Sequence, residues 1–265
     1  MKIHELKYSN TNTYLIENSN ARLLFDTGWA GSFLAFCRCM GQIGIPVQSI
    51  DYIMISHFHP DHMGIASDIA SLGAKIVVFD VQKDFIHFSD EIFKKENKYT
   101  FNPIDDEKIS LVSVEKSREF LNKIGIDGQV IHTPGHSDDS ISLYLDEGYL
   151  FVGDLNPLYE LELYKETLIE KSWNRLLLLG PKEIYYGHAK SVILDDIKKE
   201  DTVSDDRYYL VKEITHLIDK GFTLKKIQKK TGADTAFIED VTRMYLTHQN
   251  VTVQGILDRI EIKGK

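Results

Sequence analysis

Between Ser56 and Gly64 the chain reads Ser-His-Phe-His-Pro-Asp-His-Met-Gly, so His57, His59, Asp61 and His62 form an H-x-H-x-D-H cluster. Imidazole nitrogens and carboxylate oxygens are the donors that suit zinc and its first-row neighbours, and the chemistry on offer is metal-assisted. Closeness in sequence does not make ligands converge, so the flanks matter. Upstream, Ile50 to Ile55 is an apolar, β-branched run of strand character. Downstream, Met63 to Ala66 with Ile69 and Ala70 has the look of a helix. The cluster therefore sits on a strand-to-helix turn, where rigid elements commonly hold residues that bind or react. A His-rich surface loop is the plainer reading, and it gives those flanks nothing to do.

Three more strand ends deliver residues of the same kind. His136 lies in Thr133-Pro134-Gly135-His136-Ser137, after the apolar Val130-Ile131. Asp154 follows Tyr149-Leu150-Phe151-Val152-Gly153, and His188 follows Ile184-Tyr185-Tyr186-Gly187. Taken singly, an Asp after Gly makes a turn, and a lone His is ordinarily a surface or core residue. Four such strand ends in one chain are harder to dismiss.

Together these motifs resemble those of the metallo-β-lactamase superfamily of binuclear metal hydrolases, in the expected order over about residues 1–200. Two softer matches come first. Asn12-Thr13-Tyr14-Leu15-Ile16 looks like the family's first strand, and Leu24-Phe25-Asp26-Thr27-Gly28 like its D-T-G turn. The resemblance implies that His57, His59 and His136 hold one divalent ion, that Asp61, His62 and His188 hold a second, and that Asp154 bridges them. Zinc is the expected metal, and iron or manganese suits the same donors. Two such ions about 3.5–4 Å apart share a water and bring its pKa toward neutrality, which provides a hydroxide nucleophile. Asp61 is the expected catalytic residue, orienting that hydroxide and accepting its proton. Asp26 either orients a ligand histidine from behind or serves only its own turn. His132 is expected to pack or hydrogen-bond, not to ligate, and His4, His87, His216 and His248 have no partner in the pattern.

Details of the resemblance narrow the branch. The bridging position holds Asp154 and not a cysteine, and His62 completes the second set. Both favour glyoxalase II, lactonases, RNase Z and phosphodiesterases over true β-lactamases. His59 stands where flavodiiron oxygen-reducing proteins carry a glutamate, and the net charge of −9 runs against the basic surface that RNase Z needs for tRNA. The expectation is a hydrolase for a small ester, thioester or lactone. The alternatives are a phosphodiesterase on the same centre, and a metal-bearing sensor whose tail contacts DNA. Substrate, native metal and oligomeric state are not legible in the letters.

The elements that must position these residues alternate. Strands are expected over 12–17, 21–26, 51–56, 75–79, 128–132, 140–145, 148–152 and 182–186. Helices are expected over 31–44, 67–72, 81–95, 114–123 and 158–179. Asp146-Glu147-Gly148 reads as a hairpin turn. Hairpins mixed with strand–helix units imply an α+β chain with mixed sheets. The resemblance supplies the architecture: an αβ/βα four-layer sandwich, two sheets face to face with helices outside. With 265 residues, 43% hydrophobic and 27% charged, the chain can bury a sizeable core. The negative charge argues against general nucleic-acid or anionic-membrane binding. Cys37 and Cys39, two apart on an expected helix, suit neither a disulfide nor a metal pair and fit a reducing compartment. No signal peptide is evident at the amino terminus, and no run approaches the roughly 18–20 apolar residues of a membrane span. The expectation is a cytoplasmic protein.

From Ile193 the character changes. Residues 195–207 are charge-dense and read as a linker or exposed helix, which divides the chain into a metal hydrolase domain, 1–200, and a helical domain, 201–265. Leu210, Val211, Ile214, Leu217 and Ile218 repeat at helical spacing, and 224–230 is a short helix. Asp234 caps another helix, with an apolar stripe of Phe237, Ile238, Val241, Met244 and Tyr245, and Thr252 caps a last one. The pair around Thr231-Gly232-Ala233-Asp234 resembles a helix-turn-helix, with Lys225, Lys226, Lys229 and Lys230 on its first helix. Its second helix carries Asp234, Glu239 and Asp240 against Arg243, which would repel phosphates. A lid over the metal edge, a substrate-binding role or a homodimer contact is the stronger expectation, with a small-molecule substrate as the partner.

Overall fold

The apolar runs become two sheets in the computed structural model, which describes residues 1–96, 100–194, 206–247 and 252–263. One sheet has six strands in the order β1 (Lys2–Leu6), β2 (Thr13–Glu17), β3 (Arg22–Phe25), β4 (Tyr52–Met54), β5 (Lys75–Phe79) and β6 (Ile109–Val112). The other has five, in the order β11 (Val192–Ile193), β10 (Glu183–Tyr185), β9 (Tyr149–Phe151), β8 (Ile141–Leu145) and β7 (Gly128–His132). Both are mixed. β1 to β3 pair antiparallel and β3 to β6 parallel, while in the second sheet only β9 and β10 pair parallel.

Alternation along the strands builds the layers, because successive side chains point to opposite faces. Tyr14, Ile16, Leu23, Phe25, Met54, Val77 and Phe79 of the first sheet meet Val130, Ile141, Leu143, Leu145 and Phe151 of the second in one core between them. Leu121 of α5 (Ser117–Lys123) closes one side of that core. The intervening Leu15, Leu24, Ile53, Ile76 and Val78 face the other way, against Phe36 and Met40 of α1 (Phe33–Gln42) and Ile69 of α3 (Ala66–Ala70). On the far side, Tyr144, Leu150 and Ile184 pack on Ile169, Trp173 and Leu176 of α6 (Leu168–Leu177). Strands covered on both faces read as nearly continuous apolar runs, which is why they were legible. The α+β four-layer sandwich is as expected.

The structure corrects several expectations. β1, β6 and β11 were missed, since edge strands are short and partly polar. The Asn12–Ile16 stretch consequently leads into the second strand, which begins at Thr13, and not the first. The helix expected over 81–95 is a 3-10 segment, Asp80–Phe85, then α4 (Asp90–Glu96). It breaks where buried Ser89 donates to the Phe58 carbonyl at 2.6 Å. The helix expected over 158–179 splits at Glu166, whose φ is 63°, into a 3-10 segment, Leu158–Tyr164, and α6. The Asp146-Glu147-Gly148 hairpin is present, with Leu145 opposite Tyr149.

The loop after β4 enters α2 (Pro60–Met63) and is locked to the loop after β3 by close backbone approach. Gly64 N–H donates to the Gly28 carbonyl at 2.8 Å. A Cβ on Gly64 would lie 2.1 Å from the Ala30 nitrogen and 2.4 Å from the Trp29 carbonyl carbon. Those are backbone atoms of a packed loop and cannot swing aside. Gly64→Ala is therefore expected to cost ~3 kcal/mol by overpacking. In thermal unfolding that lowers Tm by about 6–12 °C. A shift under about 2 °C would show that the two loops can part.

Beyond residue 205 lie α7 (Asp206–Asp219), α8 (Leu224–Thr231), α9 (Thr235–Thr247) and α10 (Val253–Lys263). Residues 195–205, most of the charge-dense stretch and the division placed at 200, are outside the described residues, as is His248. Asp234 caps as expected, its carboxylate accepting from Ala236 N–H at 3.0 Å, and Thr252 Oγ1 accepts from Gly255 N–H at 3.0 Å. The apolar stripe of α9 was expected to bury against the metal edge or a second subunit. Instead Ile238, Val241 and Met244 pack on Val211, Ile214, Ile227 and Ile256, within the four tail helices themselves. These apolar faces cover one another, while Leu246 and Tyr209 stay exposed. The tail meets the rest of the chain through α10, whose capping Thr252 donates its N–H and Oγ1–H to buried Glu160 at 3.2 and 3.1 Å. Tyr159 OH donates to Asp258 at 2.7 Å. Among the described residues no helix is long and apolar enough to cross a membrane.

Candidate metal centre

β3 and β4 run parallel, and β7, β9 and β10 share one direction in the other sheet, so their carboxyl ends open at one edge of the sandwich. Asp26, the cluster at 57–62, His136, Asp154 and His188 follow those five strand ends in turn. All seven residues expected to ligate are brought together there. His57 Nε2 and His136 Nε2 stand 3.0 and 3.1 Å from His59 Nδ1. His188 Nε2 and His62 Nε2 stand 2.9 and 3.8 Å from Asp61 Oδ2. The two triads, His57/His59/His136 and Asp61/His62/His188, each present donor atoms within 4.8 Å of one another. Asp154 lies between them, Oδ1 at 3.2 Å from His62 Nε2, and Oδ2 at 3.4 Å from His188 Nε2 and 3.6 Å from His136 Nε2.

The nitrogens turned away from this centre are tied down. His62 Nδ1 is 2.8 Å from Asp26 Oδ2, His57 Nδ1 is 3.0 Å from Ser56 Oγ, and His188 Nδ1 is 3.0 Å from the Asn10 carbonyl. An oxygen at Nδ1 places the ring proton there and leaves the Nε2 lone pair facing inward, as a metal ligand requires. Two inward atoms, His62 Nε2 and Asp154 Oδ1, are buried and, although 3.2 Å apart, make no well-aligned hydrogen bond to each other or to another group of the chain. Orphaned buried polar atoms are costly unless something absent from the chain satisfies them. Five imidazoles and two carboxylates with both orphans aimed at one spot fit divalent ions. His62 Nε2 would serve one ion and the Asp154 carboxylate both.

Asp26, expected from sequence to orient a ligand histidine or to serve its own turn, holds the loops together with residues that sequence reasoning did not single out. Asp26 is buried at φ 63° and accepts from Ser56 N–H at 2.7 Å and Ser56 Oγ–H at 2.9 Å, so it acts on His62 and on the loop start together. Asp139 accepts from Phe58 N–H at 2.7 Å. Asn12 Nδ2 donates to the carbonyls of Tyr186 and Ala189 at 3.0 and 2.9 Å, pinning the turn that carries His188. Gly187 sits so close that a Cβ there would be 2.5 Å from Asp154 Oδ1. Asn12 stands in the polar stretch Ser9-Asn10-Thr11-Asn12-Thr13, where nothing local marks it out, and Asp139 is indistinguishable from any turn aspartate. His132 does not join the centre, and its Nε2 is 2.7 Å from the Asp138 carbonyl. His4 pairs with Glu17, and His87 with Asp90 and Asp106.

Charge in the centre is strongly coupled. Burial, reinforced by the nearby His62, holds His57 well below the ordinary imidazole range, and burial lowers His136 as well. Burial opposes charge on His62 and His188 too, but Asp154 with Asp26 and Asp61 carries His62 well above that range, and Asp154 with Asp61 raises His188. Burial would raise Asp61, yet His62 and His188 pull it to about 2. Asp154 is likewise held well below the carboxylate range, by His188 and His62 against its burial. In metal-free protein the neighbouring carboxylates therefore favour the protonated form of His62, and bias His188 the same way. A metal needs the neutral nitrogen, so uptake must expel those protons. Zinc titrations at pH 7 in buffers of different ionisation enthalpy are expected to show net proton release, with affinity falling as pH falls. Uptake with no net proton release would contradict this charge assignment.

Above the centre opens a cleft of about 230 Å³, lined by His59, Asp61, His136, Asp154 and His188 on its floor and by Leu155, Pro157, Tyr186, Ala189 and Arg259 on its walls. Comparison with known proteins converges on the same region. The profile of the metallo-beta-lactamase superfamily matches residues 7–188. The beta-lactamase-like protein 2 homolog of Drosophila melanogaster is 30% identical over 202 residues, covering 76% of this chain and 63% of that protein. The chain thus matches less than two thirds of the fly relative's length. The metallo-beta-lactamase family protein TTHA1429 from Thermus thermophilus has the same fold, at 18% identity and a TM-score of 0.56 over 98% of this chain and 92% of that one. TTHA1623, solved in a di-iron-bound form, aligns at 20% identity and a TM-score of 0.54 over 77% of this chain and 100% of that one.

Proposed function

Because the chain belongs to the metallo-beta-lactamase superfamily, we propose that it is a binuclear metal hydrolase that cleaves a small ester, thioester or lactone. One observation carries this reading: two donor triads share the single carboxylate of Asp154 on the floor of an open cleft. Two divalent ions held there would lower the pKa of water and polarise the scissile carbonyl. Zinc is the proposed metal; TTHA1623 is described with two irons, and this donor set suits iron as well.

The chain's own residues do the rest. Asp61 is ionised at any physiological pH, lines the cleft and has Thr11 Oγ1 at 3.5 Å, so it is placed to orient an attacking water and accept its proton. Asp26, Ser56 and the Asn10 carbonyl keep the imidazoles from rotating out of register. Leu155, Pro157 and Ala189 give the cleft an apolar wall, and its volume suits a small substrate. We assign the tail to this cleft and not to a nucleic acid: α10 is seated beside it, and Arg243 of α9 is paired with Asp240 at 3.4 Å. The free thiols of Cys37 and Cys39 fit a reducing compartment such as the cytoplasm.

The decisive experiment is a screen of zinc-replete protein against thioesters, lactones and bis-p-nitrophenyl phosphate. Thioester or lactone turnover should exceed phosphodiester turnover by at least about tenfold, which corresponds to about 1.4 kcal/mol in barrier. The reverse preference would make it a phosphodiesterase. No turnover with both ions bound, together with tight, salt-dependent duplex binding, would favour the sensor.

A further inference from the structure

Two pockets meet at His59. One is the cleft over the metal centre. The other, about 130 Å³, is lined by Phe58, Phe85, Phe88, Ser137 and Asp139, and His59 is the residue common to both. The second pocket is predominantly aromatic, and Phe88 at its edge is 61% exposed. An apolar side chain held out at the mouth of a pocket beside reactive groups has a ready use in gripping an apolar ligand arm.

The cleft carries a cation from the tail. Arg259 lines it, and its Nη1 donates to the Gly255 carbonyl of its own helix at 3.0 Å, which leaves further N–H donors on the guanidinium. Two buried carboxylates lie at the junction, Glu160 and Asp258; Asp258 feels that charge, but among the described residues no salt bridge joins Arg259 to either. Both oxygens of each are already engaged by neutral donors. Glu160 takes Thr252 on Oε1 and Asn156 Nδ2 on Oε2, and Asp258 takes Gln254 Nε2 on Oδ1 and Tyr159 OH on Oδ2. The same bonds seat α10 against the Leu158–Tyr164 segment and so place Arg259 over the cleft.

Resting on the hydrolase reading above, we propose that the substrate is a monocarboxylate with an apolar arm: its carboxylate pairs with Arg259, its apolar group enters the Phe58/Phe85/Phe88 pocket, and the scissile ester or thioester lies between, over the metals. One guanidinium fork matches one carboxylate, and the buried acids behind it disfavour a more highly charged group. Hydrolysis of such a thioester adds water across the acyl–sulfur bond, giving the apolar acid and a thiol that keeps the carboxylate.

The test compares zinc-loaded protein on S-octanoyl-3-mercaptopropionate, on the neutral ethyl thiooctanoate and on S-acetyl-3-mercaptopropionate. Binding of 3-(octylthio)propionate, which has no bond to cleave, is read by calorimetry. Arg259→Ala should raise KM for the octanoyl acid and weaken thioether binding about tenfold, equivalent to about 1.4 kcal/mol, with kcat nearly kept. The charged-over-neutral preference should collapse, and Arg259→Lys should recover part of it. Phe88→Ser should erase the preference for octanoyl over acetyl. Carboxylate capture by the metals alone would leave binding indifferent to Arg259→Ala, and that result overturns the assignment while the hydrolase reading survives. If no thioester is cleaved yet the thioether binds in an Arg259-dependent way, the hydrolase reading falls and the carboxylate site stands.

Discussion

Asp154→Ala is expected to take metal content from about two equivalents to below one and to lower hydrolysis about a thousandfold, or about 4 kcal/mol in barrier. The size follows from position. Asp154 contacts His62 and His188 of one triad and His136 of the other, and its Oδ1 is one of the orphaned atoms facing the centre. Alanine removes the only carboxylate near both triads among the described residues, and with it the charge that would offset repulsion between two dications. His132→Ala is the control, because His132 bonds to the Asp138 carbonyl outside the centre. Elemental analysis of protein purified without chelator, alongside turnover on the preferred substrate, reads both. Equal metal loss in the two variants would mean that the ligand turn has been misassigned, and two retained equivalents in Asp154→Ala would remove the bridge.

Asp26→Ala should have the next largest effect, this time on stability and affinity together. Its carboxylate is buried and satisfies Ser56 N–H, Ser56 Oγ–H and His62 Nδ1 at 2.7, 2.9 and 2.8 Å. Alanine leaves these groups without their acceptor, at roughly 1–3 kcal/mol for each one that stays unsatisfied. It also sits poorly at φ 63°, a conformation that aspartate and asparagine tolerate better. Loss of the group that orients a ligand histidine typically costs about 10–100-fold in metal affinity. Thermal unfolding of the metal-free protein should therefore show a clear drop in Tm, and competitive zinc titration a weaker site. Asp26→Asn separates the two roles, because the amide oxygen can still accept from Ser56 while the charge that raises His62 is gone. Unchanged zinc affinity in Asp26→Ala would reduce Asp26 to the purely structural turn residue that its sequence context also allowed.

The ligand candidates could be read from the letters because each follows a strand, two of them, β4 and β9, largely buried apolar runs and two, β7 and β10, shorter apolar stretches half-covered in the sheet. A residue just past such a strand is automatically at the end of its sheet. Their helpers could not be read in the same way. Ser56, Asn12 and Asp139 act through bonds to residues far along the chain, as in Asn12 to Tyr186 and Asp139 to Phe58. No local spacing encodes such a bond. The two over-long helices failed for the same reason. Composition over 81–95 and 158–179 permits helix, and tertiary bonds such as Ser89 to Phe58 and Thr252 to Glu160 break or redirect it.

By itself, then, the sequence determined the donor types, their order, and the strand ends that present them, because these depend on contiguous residues and on the period of burial. Only the tertiary structure decided that the donors of two separate sheets converge, since convergence depends on strand direction and sheet order. It also decided what the tail covers. An apolar stripe reports that a face is buried but not what buries it, and the stripe of α9 turned out to face its own neighbouring helices. Meanwhile α10, through Arg259, reaches the cleft over the metal centre.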